Sequence, residues 1–464
     1  MKRLLSSPSL LLTASFDTSS DEEAEAAEEE DFADLSPSQK RALRSVLRGH
    51  NTLIVGGAGT GKSFLIARIR SALNRRAHPL AVCATTGLAA WQSEGVTLHS
   101  FAGMGLCQGD ITPHLKKLLG NRQKLKEWRA LQTLLVDEVS MLEADFLEKL
   151  ARAARETRSS AEPFGGVQLV FLGDLAQCPP ICKERQRRYF FEAAVWPSLQ
   201  MRCVNLVENF RQAEDAPFRH LLARMRLARL LPEDGRLLRT RLISAHPEVD
   251  RASLLKLCSR RDTAERINNA EMARITGDSH HYESDYLQYD ANGLALPSDS
   301  SSSGGQQQQK TFPVDGKLTL KLGVQVILCI NLNPVNGLLN GSRGTVTSFR
   351  AAENGTILYP MVQFENGSSV LVLPYTWNTY KSGVLAESFT QVPLLMRYAM
   401  TIHRAQGLTL ERVLITMDFF EPGQGYVAFS RVRHLSDLYV EQVEMRTIVA
   451  DKAVIDFYNK YALL

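Results

Sequence analysis

The segment from Gly56 to Ser63 constrains the fold of this chain more than any other. Its sequence, Gly-Gly-Ala-Gly-Thr-Gly-Lys-Ser, matches the pattern G-x-x-x-x-G-K-[ST]. In this pattern, a glycine-rich loop directs its backbone amides at a polyphosphate. The lysine reaches the terminal phosphates, and the hydroxyl of the serine or threonine binds Mg²⁺. The segment therefore predicts a P-loop. The predicted nucleotide contacts are Gly56, Gly57, Ala58, Gly59, Thr60, Gly61, Lys62 and Ser63.

The sequence on either side of the loop supports this prediction. Residues 51–55, Asn-Thr-Leu-Ile-Val, are typical of a buried strand that leads into the loop. Apolar residues then recur at helical spacing, at Leu65, Ile66, Ile69 and Leu73. The N-terminus of that helix would direct its partial positive charge at the phosphates. A Gly-rich turn without a nucleotide would not require this order of strand, loop and helix.

An acidic pair further along the chain supplies the second part of phosphoryl-transfer chemistry. Residues 134–138, Leu-Leu-Val-Asp-Glu, form an apolar run that ends in Asp137 and Glu138. Asp137 is suited to bind a metal ion together with Ser63, and Glu138 is suited to polarise an attacking water. Together with the P-loop, the pair predicts a nucleoside triphosphatase that uses ATP and Mg²⁺.

Composition indicates several domains and a phosphate-rich partner. At 464 residues and 44% hydrophobic content, the chain is long enough for two or three cores. Residues 1–34 carry ten acidic side chains against Lys2 and Arg3, and because the whole chain has a formal net charge of +4, residues 35–464 carry +12. This basic body suits a nucleic-acid backbone. The sequence has no run of eighteen apolar residues, so we expect no membrane partner.

The N-terminal residues predict a location rather than a fold. The first eighteen residues are rich in Ser and Leu and hold no acid before Asp17, as in a mitochondrial transit peptide. We therefore expect the protein in the mitochondrion, the nucleus or both. Residues 21–34 are typical of a solvated, disordered acidic tail. The seven cysteines form no paired metal-ligand pattern, and their odd number favours a reducing compartment.

The ordered chain is predicted to begin at Leu35 with Ser36-Pro37-Ser38-Gln39. This segment matches a capping box with proline at the first helical position. Gln39 has two predicted roles, which its sequence context does not separate. It either caps the helix, or its amide contacts the adenine edge of the nucleotide, or it does both.

Further stretches are more specific than a general triphosphatase requires. They are Ala-Val-Cys-Ala-Thr-Thr-Gly-Leu-Ala-Ala and Val-Thr-Leu-His-Ser-Phe within 81–101, Gly-Asp-Leu-Ala-Gln-Cys-Pro-Pro within 163–181, Asn-Phe-Arg-Gln at 209–212, Ile-His-Arg-Ala-Gln-Gly within 398–409 and Val-Ala-Phe-Ser-Arg within 425–433. Because these motifs occur together and in order, the chain resembles the Pif-type (petite integration frequency) DNA helicases, which belong to superfamily 1 and have RecD-like cores. The resemblance runs from about Leu35 to the C-terminus.

The resemblance implies an α/β fold with two RecA-like P-loop NTPase lobes, a small wedge insert and an SH3-like β-barrel insert. The implied domains are a first lobe at 35–203 that includes the wedge at about 104–129, a second lobe at 204–298 and 391–464, and the barrel at 311–390. β-forming residues from Leu318 to Cys329 and a hairpin turn at Asn366-Gly367 agree with the barrel. Residues 299–310, rich in Ser, Gly and Gln, predict a disordered loop.

Two inserted or intervening segments also have simpler explanations. The lysines of the wedge, Lys116, Lys117, Lys124 and Lys126, equally fit a solvated helix face. Residues 140–158 have a counterpart in the family, but their helical spacing favours an amphipathic helix with a purely structural role.

The resemblance also implies catalytic roles. Lys62 and Ser63 would bind the β/γ phosphates and Mg²⁺, with Asp137 as the partner of the metal and Glu138 as the general base. Gln177 would sense the γ-phosphate and couple it to DNA. Arg211 and Arg431 look like arginine fingers, planar cations that stabilise charge on the phosphoryl oxygens. Closure of the second lobe over ATP would then assemble the catalytic site.

The residues that the resemblance places at nucleic acid are Thr86, Thr97, His99, His403, Gln406, Gln424 and Tyr426. Hydroxyl and imidazole groups bind phosphates without recognising sequence, and His99 or Phe101 is suited to stack on bases. The chain departs from the family pattern at Cys178, Arg404 and Ala405, where leucine, lysine and serine are usual. None of these changes removes a catalytic group, although arginine does not bind a phosphate as lysine does.

Taken together, the residues and the resemblance predict an ATP-dependent DNA helicase that moves 5′ to 3′ along single-stranded DNA and serves genome maintenance. The direction comes from the resemblance alone. We expect forked or structured DNA as further partners, and a monomer that dimerises on DNA. Three alternatives remain open: a helicase that acts on RNA, a DNA-independent P-loop switch and a catalytically idle binding module.

Overall fold

The computed structural model describes residues 31–104, 107, 109–180, 187–290, 294–295, 312, 314–338, 340–352, 357–381 and 384–463. The predicted transit peptide, most of the acidic tail and the predicted loop at 299–310 lie outside these residues. Among the helices that are described, none is long and apolar enough to cross a membrane.

The first lobe is built on a six-stranded parallel sheet with the strand order β3-β2-β4-β5-β1-β6. Its strands are β1 Thr52–Gly56, β2 Leu80–Ala84, β3 Val96–Thr97, β4 Thr133–Asp137, β5 Gln168–Gly173 and β6 Arg202–Leu206. Every residue of β1, β4 and β5 is buried, because helices cover both faces of the sheet. Since β6 pairs with β1, the predicted division between 203 and 204 falls inside a strand rather than between the lobes.

Helices on both faces complete the first lobe. They are α1 Pro37–Leu47, α2 Lys62–Arg75, α3 Gly87–Gln92, α4 Leu98–Ala102, α5 Thr112–Gly120, α6 Arg122–Ala130 and α7 Ala144–Arg158. On one face, Leu43 of α1 and Ile66 of α2 pack with the strands. On the other face, α7 buries Phe146 and Leu150, which confirms the prediction of an amphipathic helix in this segment.

The predicted wedge segment forms α5 and α6, which pack onto the core of the first lobe through Leu115, Leu118 and Trp128. Lys124 does not belong to a solvated face, contrary to one of the two explanations of the wedge lysines. Its Nζ atom lies 3.0 Å from the carbonyl oxygen of Phe101 and 2.6 Å from Oε2 of Glu127. The other three wedge lysines are exposed.

The second lobe has a four-stranded parallel sheet with the order β18-β7-β19-β20. Its strands are β7 Leu255–Cys258, β18 Ala399–Thr401, β19 Val413–Ile415 and β20 Leu438–Val440. Its helices are α8 Ala216–Arg226, α9 Pro232–Arg239, α10 Arg261–Arg274, α11 Ile402–Ala405 and α12 Gln424–Phe429. The chain leaves this lobe after α10 and returns to it at β18.

The excursion between α10 and β18 is a β-rich insert with one apolar core. Its strands are β8 His280–Glu283, β9 Asp285–Gln288, β10 Lys317–Leu320, β11 Gln325–Leu328, β12 Arg343–Ala351, β13 Leu358–Phe364, β14 Ser369–Leu371, β15 Tyr375–Lys381, β16 Val384–Gln391 and β17 Leu394–Met396. They form antiparallel sheets of five, three and two strands.

The limits of the insert differ from the predicted range of 311–390. β8 and β9 pair with β10 and β16, so the insert begins about thirty residues earlier, at His280. β17 pairs with β11, so the insert ends at Met396. The hairpin turn predicted at Asn366-Gly367 joins β13 to β14, with Gly367 at a φ of 89°.

The last helix, α13 Lys452–Lys460, returns to the first lobe. Its apolar residues Val454, Phe457 and Tyr458 belong to the core of that lobe, where Phe457 lies 4.3 Å from Phe191 between ring centroids. The prediction that residues 391–464 complete the second lobe is therefore wrong for this helix.

Short 3-10 helices occur at Val139–Met141, Pro163–Gly166, Phe190–Glu192, Trp196–Leu199, Ile243–Ala245, Arg251–Ser253, Pro334–Asn336, Leu435–Asp437 and Met445–Thr447.

Candidate active site between the two lobes

The predicted P-loop connects β1 to α2 at the carboxyl edge of the first sheet. Gly59 and Gly61 have φ angles of 82° and 76°, which favour glycine. A Cβ atom on Gly59 would lie 2.5 Å from Cβ of Arg211, and one on Gly61 would lie 2.6 Å from Nε2 of Gln39. The loop therefore requires glycine both for its conformation and for the close approach of its neighbours.

The first turn of α2 points its backbone amides into the same space, which is the arrangement that binds phosphate. Nζ of Lys62 donates to the carbonyl oxygens of Gly56 and Gly57, at 2.9 and 3.0 Å. Burial lowers the pKa of Lys62, although the negative charges of Asp174, Glu138 and Asp137 oppose this shift. The lysine is thus held over the loop with carboxylates nearby.

The acidic pair lies at the carboxyl end of β4, beside the loop. Burial, assisted by the neighbouring charge of Glu138, raises the pKa of Asp137 to about 7. Glu138 has a φ of 51°, a left-handed conformation that costs a non-glycine residue about 1–3 kcal/mol and is commonest at functional sites. Thr85 donates to the carbonyl oxygen of Glu138 at 2.7 Å, and Nε2 of Gln406 donates to its Oε2 at 2.9 Å. These contacts fix both the backbone and the carboxylate of the predicted general base.

Residues from both lobes enclose a pocket of about 480 Å³ around these groups. The first lobe contributes the P-loop, Glu138 and Gln177, the second lobe contributes Arg431, and Arg211 lies in the segment between β6 and α8 that joins the lobes. Gln177 is buried, and its Oε1 has no hydrogen-bond partner among the described residues. All six predicted catalytic residues except Asp137 therefore line one pocket, and Asp137 precedes Glu138 directly.

Of the two predicted arginine fingers, Arg431 is buried and Arg211 is half-buried. Nη1 of Arg211 donates to the carbonyl oxygen of Ser430 at 3.0 Å, and Nε of Arg431 donates to that of Val427 at 2.8 Å. Neither guanidinium forms an ion pair with a described carboxylate. Burial lowers the pKa of Arg211 to about 9, and the charge of Arg431 contributes to this shift. The pocket thus contains two guanidinium groups that have no direct ion-pair partner among the described residues, although the carboxylates of Glu138 and Glu214 also line it.

Gln39 caps the first helix and also contacts the P-loop. Its Oε1 accepts from the backbone amide of Ser36 at 3.0 Å, which completes the predicted capping box. Its Nε2 lies 3.3 Å from the carbonyl oxygen of Thr60 and 3.5 Å from that of Gly61. The cap is confirmed, and the amide also touches the P-loop. Contact with adenine stays a prediction.

Four of the predicted nucleic-acid residues lie near the carboxyl ends of parallel strands, outside the buried core. Thr86 caps α3 and Thr97 caps α4. The ring of His99 lies 4.2 Å from that of Phe146, and Nε2 of His403 lies 3.7 Å from a carboxylate oxygen of Glu421. Burial lowers the pKa of both histidines, so at neutral pH they offer hydrogen bonds and ring faces rather than charge.

The other three predicted nucleic-acid residues are placed elsewhere. Gln406 contacts Glu138, as described above. Tyr426 is buried beneath the P-loop, where its hydroxyl accepts from the amide of Ala58 at 2.7 Å. Gln424 is fully buried, and its Oε1 accepts from the amide of Phe420 at 3.1 Å. In the described conformation all three side chains are buried and each makes a hydrogen bond within the protein, while Oε1 of Gln406 and Nε2 of Gln424 have no partner among the described residues. Their contact with nucleic acid stays a prediction.

Sequence interpretation missed other residues of the pocket. Arg433 and His434 follow Arg431 closely, and Phe210 precedes Arg211. The motifs around the two arginines gave the only available signal for these neighbours. Phe210 is more than half exposed although it is a large apolar residue beside Gly61.

These features define a two-lobed P-loop nucleoside triphosphatase. The family model for PIF1-like helicases matches residues 34–234, and the model for the 2B domain of the DNA helicase Pif1 matches residues 309–349, within the β-rich insert. The chain belongs to the PIF1-like helicase family.

Individual members of this family are similar to the protein over most of its length. The ATP-dependent DNA helicase PIF1 of Xenopus laevis is 35% identical over 435 residues, which are 92% of this chain and 64% of that protein, so this chain spans less than two thirds of that relative. The Pif1 helicase from Candida albicans has a TM-score of 0.74 at 32% identity, over 92% of this chain and 99% of that one. Pif1 from Bacteroides has a TM-score of 0.75 in complex with ADP-AlF4, at 27% identity, and 0.63 with ADP-AlF3 and ssDNA, at 28%, each over 92% of this chain and 97% of that one.

Proposed function

We propose that the protein is an ATP-dependent DNA helicase that moves 5′ to 3′ along single-stranded DNA. The observation that carries the proposal is the pair of guanidinium groups of Arg431, which is buried, and Arg211, which is half-buried; both line the pocket at the P-loop and form no ion pair with a described carboxylate. Burying a charge is costly unless an opposite charge compensates for it. The phosphates of a nucleotide on the P-loop would supply that charge.

Each residue of the pocket then has a chemical role. The amides of the P-loop and Lys62 hold the β and γ phosphates, and Glu138 accepts a proton from the attacking water. Gln177 contacts the γ-phosphate or the water through its unpartnered Oε1 or its amide. Arg211 and Arg431 stabilise the negative charge that develops on the transferred phosphoryl group. Because Arg431 belongs to the second lobe and Arg211 is bonded to it through the carbonyl oxygen of Ser430, turnover depends on the relative position of the lobes.

Mg²⁺ is the expected metal cofactor. The donors available are the hydroxyl of Ser63 and the carboxylate of Asp137, both oxygen ligands of the kind that Mg²⁺ prefers. The described residues contain no cluster of three or more His, Cys, Asp or Glu side chains suited to a metal. This agrees with Mg²⁺, which in such sites takes one or two protein ligands and completes its shell with water and phosphate oxygens. When bound, the ion neutralises part of the phosphate charge.

Thr86, Thr97, His99 and His403 support the assignment of single-stranded DNA as the partner. They are half-buried and combine hydroxyl, imidazole and ring contacts that do not select a sequence. The Bacteroides relative has been crystallised with ssDNA. The direction of movement, the preference for forked or structured DNA and dimerisation on DNA rest on the family resemblance.

ATP turnover with and without single-stranded DNA tests the proposal, with single-stranded RNA of the same sequence as the comparison. We expect DNA to stimulate turnover and RNA to do so much less. In a separate strand-displacement assay, a duplex with a 5′ single-stranded tail should be unwound and one with a 3′ tail should not. Stimulation by RNA alone would favour an RNA helicase, and turnover insensitive to both would favour a P-loop switch; either result contradicts the proposal.

A further inference from the structure

Asp174 is a fully buried carboxylate that has no role in the mechanism described above. It follows β5 directly and lies beside the active site without lining the pocket. Its Oδ1 accepts from Nε of Arg226 at 2.9 Å and from the hydroxyl of Tyr458 at 3.2 Å. Its Oδ2 lies 3.4 Å from Nε2 of Gln177, the predicted γ-phosphate sensor. One carboxylate thus connects the sensor to two distant side chains.

Arg226 and Tyr458 also contact each other. Nη2 of Arg226 donates to the hydroxyl of Tyr458 at 2.9 Å, and the guanidinium carbon lies 4.9 Å from the centroid of the tyrosine ring. Burial alone would raise the pKa of Asp174, but the positive charges of Arg226 and Lys62 reverse this effect and lower it. The three side chains therefore form a charged, hydrogen-bonded network that we call the Asp174 network.

A second path leads from this network to the P-loop. Tyr426 accepts a hydrogen bond from the amide of Ala58, and burial, assisted by the nearby negative charge of Asp174, raises the pKa of the tyrosine. The side chain that holds one amide of the phosphate-binding loop is thus subject to the charge of Asp174, and the predicted sensor Gln177 lies within hydrogen-bond distance of the same carboxylate.

The members of the network come from three separate parts of the chain. Asp174 belongs to the first lobe, Arg226 ends α8 of the second lobe, and Tyr458 lies on α13, which returns from the second lobe to the first. The apolar side of α13 is fixed in the first lobe through Val454 and Phe457. Tyr458 therefore lies on a helix that packs in the core of the first lobe, whereas Arg226 belongs to the second lobe.

We propose that the Asp174 network positions Gln177 and the P-loop for hydrolysis, with the hydroxyl of Tyr458 as the contact through which helix α13 takes part. This inference rests on the proposed function, because it concerns the same hydrolysis. Asp174, Arg226 and Tyr458 are positioning residues, since none of them reaches the pocket. Without the hydroxyl, the carboxylate keeps Arg226 but loses one of its donors and settles in a different orientation.

Tyr458→Phe is the informative variant, because it removes the hydroxyl and keeps the ring that packs on Arg226. Substituting Asp174 or Arg226 would leave an unpaired buried charge and destabilise the fold. Hydrogen bonds to charged groups have substantial energies, so we expect the kcat of DNA-stimulated ATP hydrolysis to fall roughly tenfold, equivalent to about 1.4 kcal/mol. The KM for ATP should stay within about twofold, because the P-loop and Lys62 are retained.

Tyr461→Phe is a matched control. It removes a hydroxyl just beyond the same helix, one that accepts a hydrogen bond from Nε1 of Trp196 in the first lobe at 3.4 Å and does not touch Asp174. We expect this variant to keep the kcat of the wild type. Thermal unfolding of both variants should be alike, so that a difference in kcat reflects position rather than stability.

The combination of Tyr458→Phe with Gln177→Ala tests whether the hydroxyl acts through the sensor. If it does, the double variant should be no more than about twofold slower than Gln177→Ala alone, because coupled residues are not additive. Equal kcat values for Tyr458→Phe and Tyr461→Phe would overturn the inference. So would fully multiplied losses in the double variant, or a Tyr458→Phe protein that unfolds well below the control. A wild type without DNA-stimulated turnover would instead reject the proposed function itself.

Discussion

At the scale of the residue, Glu138 shows how the site is held together. Its left-handed backbone is maintained by the hydrogen bond from Thr85, and its carboxylate is oriented by Gln406. Both partners lie in segments that the sequence associated with nucleic acid. The general base is therefore in direct contact with those segments, and a movement of either segment would change its orientation.

Replacement of Gln406 separates its two assigned roles. Because its amide donates to Glu138, Gln406→Ala should lower ATP turnover while the affinity for single-stranded DNA stays close to that of the wild type. His99→Ala provides the contrast, since His99 is half-buried at the predicted DNA edge and should mainly affect DNA affinity. Fluorescence anisotropy with a labelled oligonucleotide, measured beside turnover, distinguishes the variants. A large loss of DNA affinity in Gln406→Ala would instead support the predicted contact of this residue with DNA.

Variants of Lys62 and Glu138 should block different steps of ATP hydrolysis. Lys62→Ala removes the cation at the terminal phosphates, so ATP turnover should be abolished while single-strand binding survives. Glu138→Gln keeps the shape of the side chain and removes the base, so this variant should bind ATP and retain it. Lys40→Ala, which removes a lysine on α1, serves as the control for loss of charge. Rapid filtration after incubation with labelled ATP measures the retained nucleotide, and wild-type turnover in either active-site variant would contradict the assignment.

At the scale of the element, the sequence pattern predicted the structure correctly where residues close together in the chain determine it. The strand, loop and helix around Lys62, the cap at Ser36 and the turn at Gly367 all depend on residues within a few positions of one another. The pairing of β8 with β10 does not, since His280–Glu283 shows no alternation that would indicate its partner or its sheet. Helix α13 has an apolar stripe, but a stripe does not specify which of two cores receives it.

Helix α1 offers a test that separates capping from nucleotide binding. Gln39→Glu keeps the oxygen that accepts from the amide of Ser36, but it loses the donor to the carbonyls of Thr60 and Gly61 and adds a negative charge at the P-loop. Nucleotide affinity should fall while stability is nearly unchanged. Ser36→Ala should do the reverse, with a loss of about 1 kcal/mol in the free energy of unfolding. Chemical denaturation and titration with a fluorescent ATP analogue measure the two effects. Similar changes in both variants would show that the two roles of Gln39 are not separable.

At the scale of the whole molecule, the site depends on contacts that no motif contains. The residues that line the pocket were predictable as a group because each lies in a contiguous motif. The burial of Tyr426 beneath Ala58 and the contact of Gln406 with Glu138 were not, because they arise where the second lobe meets the first. The described arrangement is also closer to the Bacteroides complex with ADP-AlF4 than to the one with ADP-AlF3 and ssDNA, by TM-scores of 0.75 and 0.63.

The arginine pair tests the two-lobe mechanism as a whole. If the second lobe supplies Arg431 to the transition state, Arg431→Ala should lower kcat by roughly 10³-fold, whereas nucleotide affinity should fall much less. Arg211→Ala should behave alike, and the double variant should be strongly non-additive because both arginines act in one assembled site. Arg431→Lys, which keeps the charge and loses the planar fork, separates electrostatic from geometric effects. Arg446→Ala removes an exposed arginine of the same lobe and should change neither quantity. Near-normal DNA-stimulated turnover in Arg431→Ala, measured beside binding of a fluorescent ATP analogue, would show that hydrolysis does not require the second lobe's arginine and would leave its buried charge without a catalytic purpose.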